Sequence, residues 1–114
     1  MTHPAASDGA PFGALLQMRA RPGRRDDVLR TLTHYARTLD GEPGTTLFAV
    51  SADPHDADLV WVWEEFVNGA AVQSHFEHDF FRALQMELGD LLAEPAAVRP
   101  LTPIVHRAQQ VVAE

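Results

Sequence analysis

Residues 59–67 read Leu-Val-Trp-Val-Trp-Glu-Glu-Phe-Val, a run rich in valine and aromatic residues that predicts a β-strand. Side chains alternate between the two faces of a strand, so Leu59, Trp61 and Trp63 share one face. Val60, Val62, Glu64 and Phe66 share the other. Large apolar groups on both faces imply a sheet that is covered on both sides. With 114 residues, the chain is long enough for one domain and short for two.

The rest of the chain supplies the partners of that strand. Phe12 to Ala20 alternates, with Phe12, Ala14, Leu16, Met18 and Ala20 on one side and Gln17 and Arg19 on the other, which predicts strand one. Pro22-Gly23 breaks it, and from Arg24 to Asp40 the residues Val28, Leu29, Leu32, Tyr35, Ala36 and Leu39 recur at helical spacing. Gly41 and the Glu42-Pro43-Gly44 turn end this first helix. Thr45 to Ser51 and Leu59 to Val67 form a hairpin across Asp53-Pro54-His55-Asp56. Ala70 to His78 reads as a short helix, and Asp79 as the N-cap of a second, with a stripe of Phe80, Phe81, Leu84, Leu88, Leu91 and Leu92. Val98 to His106 is expected as a final strand that Pro100 and Pro103 confine to an edge or a bulge. Residues 1–11 read as a flexible tail, residues 12–106 as the domain, and residues 107–114 as an extension that frays or reaches a partner.

The order strand, helix, strand, strand, helix pair, strand is that of a ferredoxin-like α+β domain, βαββαβ, with a four-stranded antiparallel sheet. Helices cover one face of such a sheet and leave the other bare. A bare apolar face is too large for a soluble monomer, so two copies are expected to pair sheet to sheet as a homodimer.

Composition excludes several chemistries. The chain has no cysteine, which removes disulfides, thiol nucleophiles and thiolate metal sites. All nine basic residues are arginines, so no lysine is available for a Schiff base or a P-loop. None of the serines Ser7, Ser51 and Ser74 lies in a Gly-x-Ser-x-Gly elbow. A formal charge of −7 opposes binding to nucleic acid or to an anionic membrane surface. Twelve acidic residues and a single arginine, Arg82, lie between Asp40 and Glu94, an imbalance that reads as a solvated surface. No membrane-length apolar run and no signal core is present, so a soluble, cytoplasmic protein is expected.

A set of short motifs follows in order: Glu42-Pro43-Gly44-Thr45 before a strand, Glu64-x-Phe66 ending strand three, His75 nine residues later, then Phe81. Leu92-x-Glu94-Pro95-x-x-Val98-Arg99-x-Leu101 leads into the last strand. Together they resemble the antibiotic biosynthesis monooxygenase family, the quinol-oxygenase-like branch of the dimeric α/β barrel proteins, over Phe12 to Ile104. Phe66 stands where relatives usually carry tryptophan, and Phe80 where they often carry histidine, with His78 two residues earlier. No histidine lies between His78 and His106, which argues against haem degradation.

The resemblance implies an oxygenase that needs neither metal nor flavin. Such an enzyme oxidises a quinol or anthrone-like phenol to a quinone, with molecular oxygen as co-substrate. It asks for an apolar pocket and a group that sets the substrate's ionisation. His75 is the candidate acid or base, set against a hydrogen-bonded core histidine as the plain reading. Trp61, Trp63, Phe66, Phe81 and Met18 are candidate pocket walls, set against core or interface packing as the plainer reading. Glu64 is expected to be supporting, through a hydrogen bond or an ion pair with an arginine such as Arg19 or Arg99. Asn68 and Gln17 are candidate donors to a phenolate. Phe76, Phe80 and Met86 are expected with the other aromatics in the core. His75 and His78, flanked by Glu77 and Asp79, make only half of a metal site. A small-ligand binder without activity, or an isomerase or cyclase, are the alternatives on the same scaffold.

Overall fold

The structure, a computed structural model, describes residues 9–107 and 109. Most of the expected N-terminal tail and of the C-terminal extension therefore lies outside the described residues. The elements are β1 Phe12–Arg19, α1 Arg25–Ala36, a 3-10 turn Arg37–Gly41, β2 Thr45–Ala52, β3 Leu59–Phe66, α2 Gly69–Glu77, α3 Asp79–Leu91 and β4 Ala97–Leu101. The strands lie in the order β2-β3-β1-β4, and every neighbouring pair is antiparallel. This is the α+β ferredoxin-like arrangement that the element order predicts.

Gly23, with φ +77, turns the chain from β1 into α1, a backbone region that glycine enters without a Cβ clash. The first turn of α1 carries Asp26 and Asp27, which suit the positive end of a helix. Asp27 bridges Arg24 at 2.6 Å and Arg30 at 2.7 Å. Val28, Leu32 and Tyr35 then fall on one buried face. The sequence periodicity predicts one helix from Arg24 to Asp40, but the α-helix stops at Ala36 and winds tighter over Arg37–Gly41. Thr38 Oγ1 caps Tyr35 O at 2.7 Å, and Glu42 N closes onto Leu39 O at 2.9 Å. That tightening delivers Glu42 to the interior.

The three α-helices lie on one face of the sheet. Leu32, Val28, Val60 and Val62 are almost wholly enclosed, with Met18, Tyr35, Leu84, Leu88 and Leu91 around them. Two of the residues expected in the core are instead exposed: Phe80 stacks on His78 at the surface, and Met86 points to solvent. Met86 falls on the face opposite the stripe that α3 buries through Leu84, Leu88 and Leu91, whereas Phe80 is in line with that stripe but sits in the first turn of the helix, where its ring turns to His78. The cap of α3 also differs from expectation, since His78 rather than Asp79 accepts the Phe80 N–H.

β4 ends at Leu101 instead of continuing to His106. Pro103 has no N–H to give to a ladder. Its ring lies near Gly13 and Trp63, and His106 pairs with Glu65 at 2.8 Å, so the chain beyond β4 folds over part of the open sheet face. Pro100 is accommodated because β4 is an edge strand that bonds only to β1.

Candidate active site

The alternation of β3 sorts the candidate residues onto two sides. Val62, Glu64 and Phe66 face the helices, and all three are buried. Trp61 and Trp63 face away, paired across the ladder with Gln17 and Leu15 of β1. Trp61 Nε1 donates to Asp53 at 3.0 Å. The two tryptophans therefore do not share a space with His75. Met18 is on the helix side but pairs with Val60, four positions along β3 from Glu64, in the middle of the aliphatic core.

His75 reaches the interior because α2 starts where it does. Asn68 Oδ1 accepts the Ala71 N–H at 2.9 Å, an N-cap that fixes the helix phase so that Val72 and His75 point inward. Asn68 is thus a structural cap. His75 is 2% exposed. Its Nδ1 lies 3.0 Å from Glu42 Oε1 and 3.3 Å from the Tyr35 hydroxyl, and its Nε2 lies 3.6 Å from Glu64 Oε2. Rings of Phe81 and Phe66 stand against it with centroids at 4.6 and 5.0 Å, and Phe76 at 5.6 Å. Five separate pieces of chain meet here: the last turn of α1, the end of the 3-10 turn, β3, α2 and the first turn of α3.

The electrostatics follow from that enclosure. Burial pushes the Glu64 carboxyl up to about 7, with a smaller push from the Glu42 charge. Burial holds the His75 imidazole below its usual value, against the hydrogen bond and charge of Glu42. Burial, followed by the charges of Glu42 and Glu64, raises Tyr35 far above an ordinary phenol, so it stays a hydroxyl. The Glu42 charge favours a proton on Nδ1, which leaves the Nε2 lone pair directed at Glu64. At 3.6 Å this second contact is an ion-pair distance rather than a hydrogen bond. Two carboxyls flanking one imidazole are groups of the kind that general acid–base chemistry uses, here enclosed away from water.

Glu64 does not pair with arginine. Arg19 turns to Asp56 at 3.1 Å and Glu94 at 3.7 Å, and Arg99 lies opposite Leu15 on the other sheet face. Glu42 and Tyr35 are the site residues that sequence reasoning misses, since one reads as part of a turn and the other as part of a helix stripe. Glu42 does belong to the Glu-Pro-Gly-Thr motif, which is the signal that could have singled it out. Outside the His75 cluster, Glu42 also helps to wall a cavity of about 290 Å³ between residues 41–45 and α2, with Thr45, Ala70, Ala71, Ser74 and His78. Among the described residues no group of three or more His, Asp or Glu side chains is arranged to hold a metal ion, and no helix is long and apolar enough to cross a membrane.

A ferredoxin-like sheet with a buried, carboxylate-flanked histidine under its helices defines a small α+β domain with a polar cluster enclosed in its core. The profile of the antibiotic biosynthesis monooxygenase family matches residues 11–87, and the chain belongs to that family. A Caulobacter crescentus protein provisionally named an antibiotic biosynthesis monooxygenase superposes with a TM-score of 0.80 at 16% identity, over 87% of this chain and 94% of its own. A similarly named Chloroflexus aurantiacus protein gives 0.77 at 22% identity, over 87% and 98%. Rv0793 of Mycobacterium tuberculosis gives 0.77 at 19% identity, over 87% and 100%. At these identities the likeness is one of fold. No functionally curated protein matches the chain.

Proposed function

We propose that the chain is a cofactor-independent, cytoplasmic monooxygenase that oxidises a hydroxylated aromatic, a quinol or an anthrone-like phenol, to a quinone with O2. The observation that carries this reading is the enclosed Glu42–His75–Glu64 cluster within a ring of aromatic side chains, in a chain of a monooxygenase family. In the proposed reaction the phenolic hydroxyl gives its proton to the cluster, and the electron-rich ring passes electrons to O2. A peroxide forms at a ring or methylene carbon and then loses water. One oxygen atom ends as the new carbonyl and the other as water, so atoms and electrons balance without a further reductant. His75 is the group that holds the proton, and Phe66 and Phe81 set the apolar surroundings that favour a neutral, planar substrate.

Oxygen uptake over a panel of hydroquinones and anthrones tests this. Uptake is expected to survive chelation and to fall at least tenfold in His75→Ala. Uptake that is unchanged in His75→Ala removes the histidine from the chemistry. A second reading, a non-catalytic small-ligand binder, is favoured by the near-complete enclosure of His75. It predicts ligand-induced shifts of the His75 ring signals in an NMR spectrum with no oxygen consumed. Product formation under nitrogen points instead to an isomerase or cyclase.

A further inference from the structure

Glu42 stands between two spaces. Its Oε1 lies 3.0 Å from His75 Nδ1 inside the core, while the residue also forms part of the wall of the cavity between residues 41–45 and α2. Its Oε2 is buried and has no hydrogen-bond partner among the described residues. A buried acceptor left unmatched carries a desolvation cost that a donor from outside can relieve. The adjoining cavity, at about 290 Å³, is at the small end of ligand pockets, which run from about 300 to 1,000 Å³. That volume is enough for one aromatic ring. Thr45, Ser74 and His78 give the wall polar character beside Pro43, Ala70 and Ala71. No arginine lines it, and His78 is the one basic side chain in the wall to set against an anionic ligand beside Glu42.

We propose that this cavity binds a compact one-ring phenol or quinol whose hydroxyl donates to Oε2 of Glu42. The phenol class rests on the proposed function; the need for a hydrogen-bond donor rests on Glu42 alone. Oε2 is shielded in the structure, so binding in this way requires the Glu42 carboxylate to turn towards the cavity while it stays beside His75. The hydroxyl thereby reaches the His75 cluster through Glu42, and the aromatic rings around the imidazole need not part. Glu42 becomes the group that touches substrate, and His75 the group behind it.

Binding of hydroquinone and of its dimethyl ether, followed by NMR under nitrogen where no oxidation occurs, tests the site. Hydroquinone is expected to bind, with shifts confined to residues 41–45 and α2, and the ether, which has no hydroxyl to donate, at least tenfold more weakly. Ala70→Leu and Ser74→Leu fill the cavity from exposed positions of α2, so both should keep the wild-type circular dichroism and melting temperature while losing at least tenfold in affinity. No binding of hydroquinone, equal binding of the ether, or unchanged affinity in both folded variants overturns the site. The two readings fail separately. Hydroquinone bound at this cavity with no oxygen consumed in air keeps the site and removes the oxygenase. Oxygen uptake undiminished in both leucine variants keeps the oxygenase and overturns the site.

Discussion

His75 is surrounded by groups that compete for its proton, and the same competition makes the folded chain sensitive to pH. Glu64, raised to about 7 from 4.5, stays protonated in the folded chain over a range where the unfolded chain has already ionised. Its stabilising effect is complete below about pH 4.5 and is lost as pH rises through about 7, on the order of 3 kcal/mol in total. His75 acts in the opposite sense, because its lowered folded value gives stability that is present above 6.5 and lost as pH falls. Glu64→Gln removes the first effect and leaves the second. Urea unfolding of both proteins from pH 4.5 to 8 should therefore show the variant gaining on wild type as pH rises, by on the order of 3 kcal/mol. Parallel stability curves would exclude Glu64 as a titrating group.

The site is assembled by short devices at the ends of elements, and these give sharper tests than the core does. Gly44 passes so close to α2 that a Cβ there would lie 2.5 Å from the Ala71 Cβ. Gly44 O also accepts the Val67 N–H at 2.8 Å, so the turn cannot retreat without losing a bond. Gly44→Ala should cost about 1–3 kcal/mol by overpacking, measured by thermal unfolding. A neutral result would show that the turn yields. Asn68→Ala removes the cap of α2 and should cost about 1 kcal/mol. Because the cap sets the phase of the helix, the same variant should also perturb the His75 ring signals in an NMR spectrum. Unchanged signals would show that packing against Phe66 and Phe81 holds the ring without the cap.

The sheet has one face under helices and one without them. Leu15, Trp61 and Trp63 lie on the second face only half-buried, and the segment through Pro103 and His106 covers part of it. A proposed homodimer, joined sheet to sheet, would enclose what remains. Sedimentation at micromolar concentration should give the mass of two chains, and Leu15→Asp should give that of one with the secondary structure kept. A wild-type monomer at that concentration would sink the dimer and leave the fold as described.

The period of the apolar residues was enough to derive the elements, their order and the two-faced strand Leu59–Phe66, because local alternation and helical spacing are written directly in the chain. The same alternation separates Trp61 and Trp63 from Glu64 and Phe66, and the motif order points to His75 as the proton-handling candidate. Its partners were not legible in this way. Glu42, Tyr35 and Glu64 are 33, 40 and 11 positions from His75, and no local pattern records which of them a fold brings together. The early end of α1 and the tight turn after it decide that Glu42 points inward, and the register of β3 against β1 decides that no arginine reaches Glu64. Those are consequences of packing, in which desolvation and a few ångströms of approach bring a turn residue, a helix-stripe tyrosine and a strand carboxylate into one buried cluster around His75.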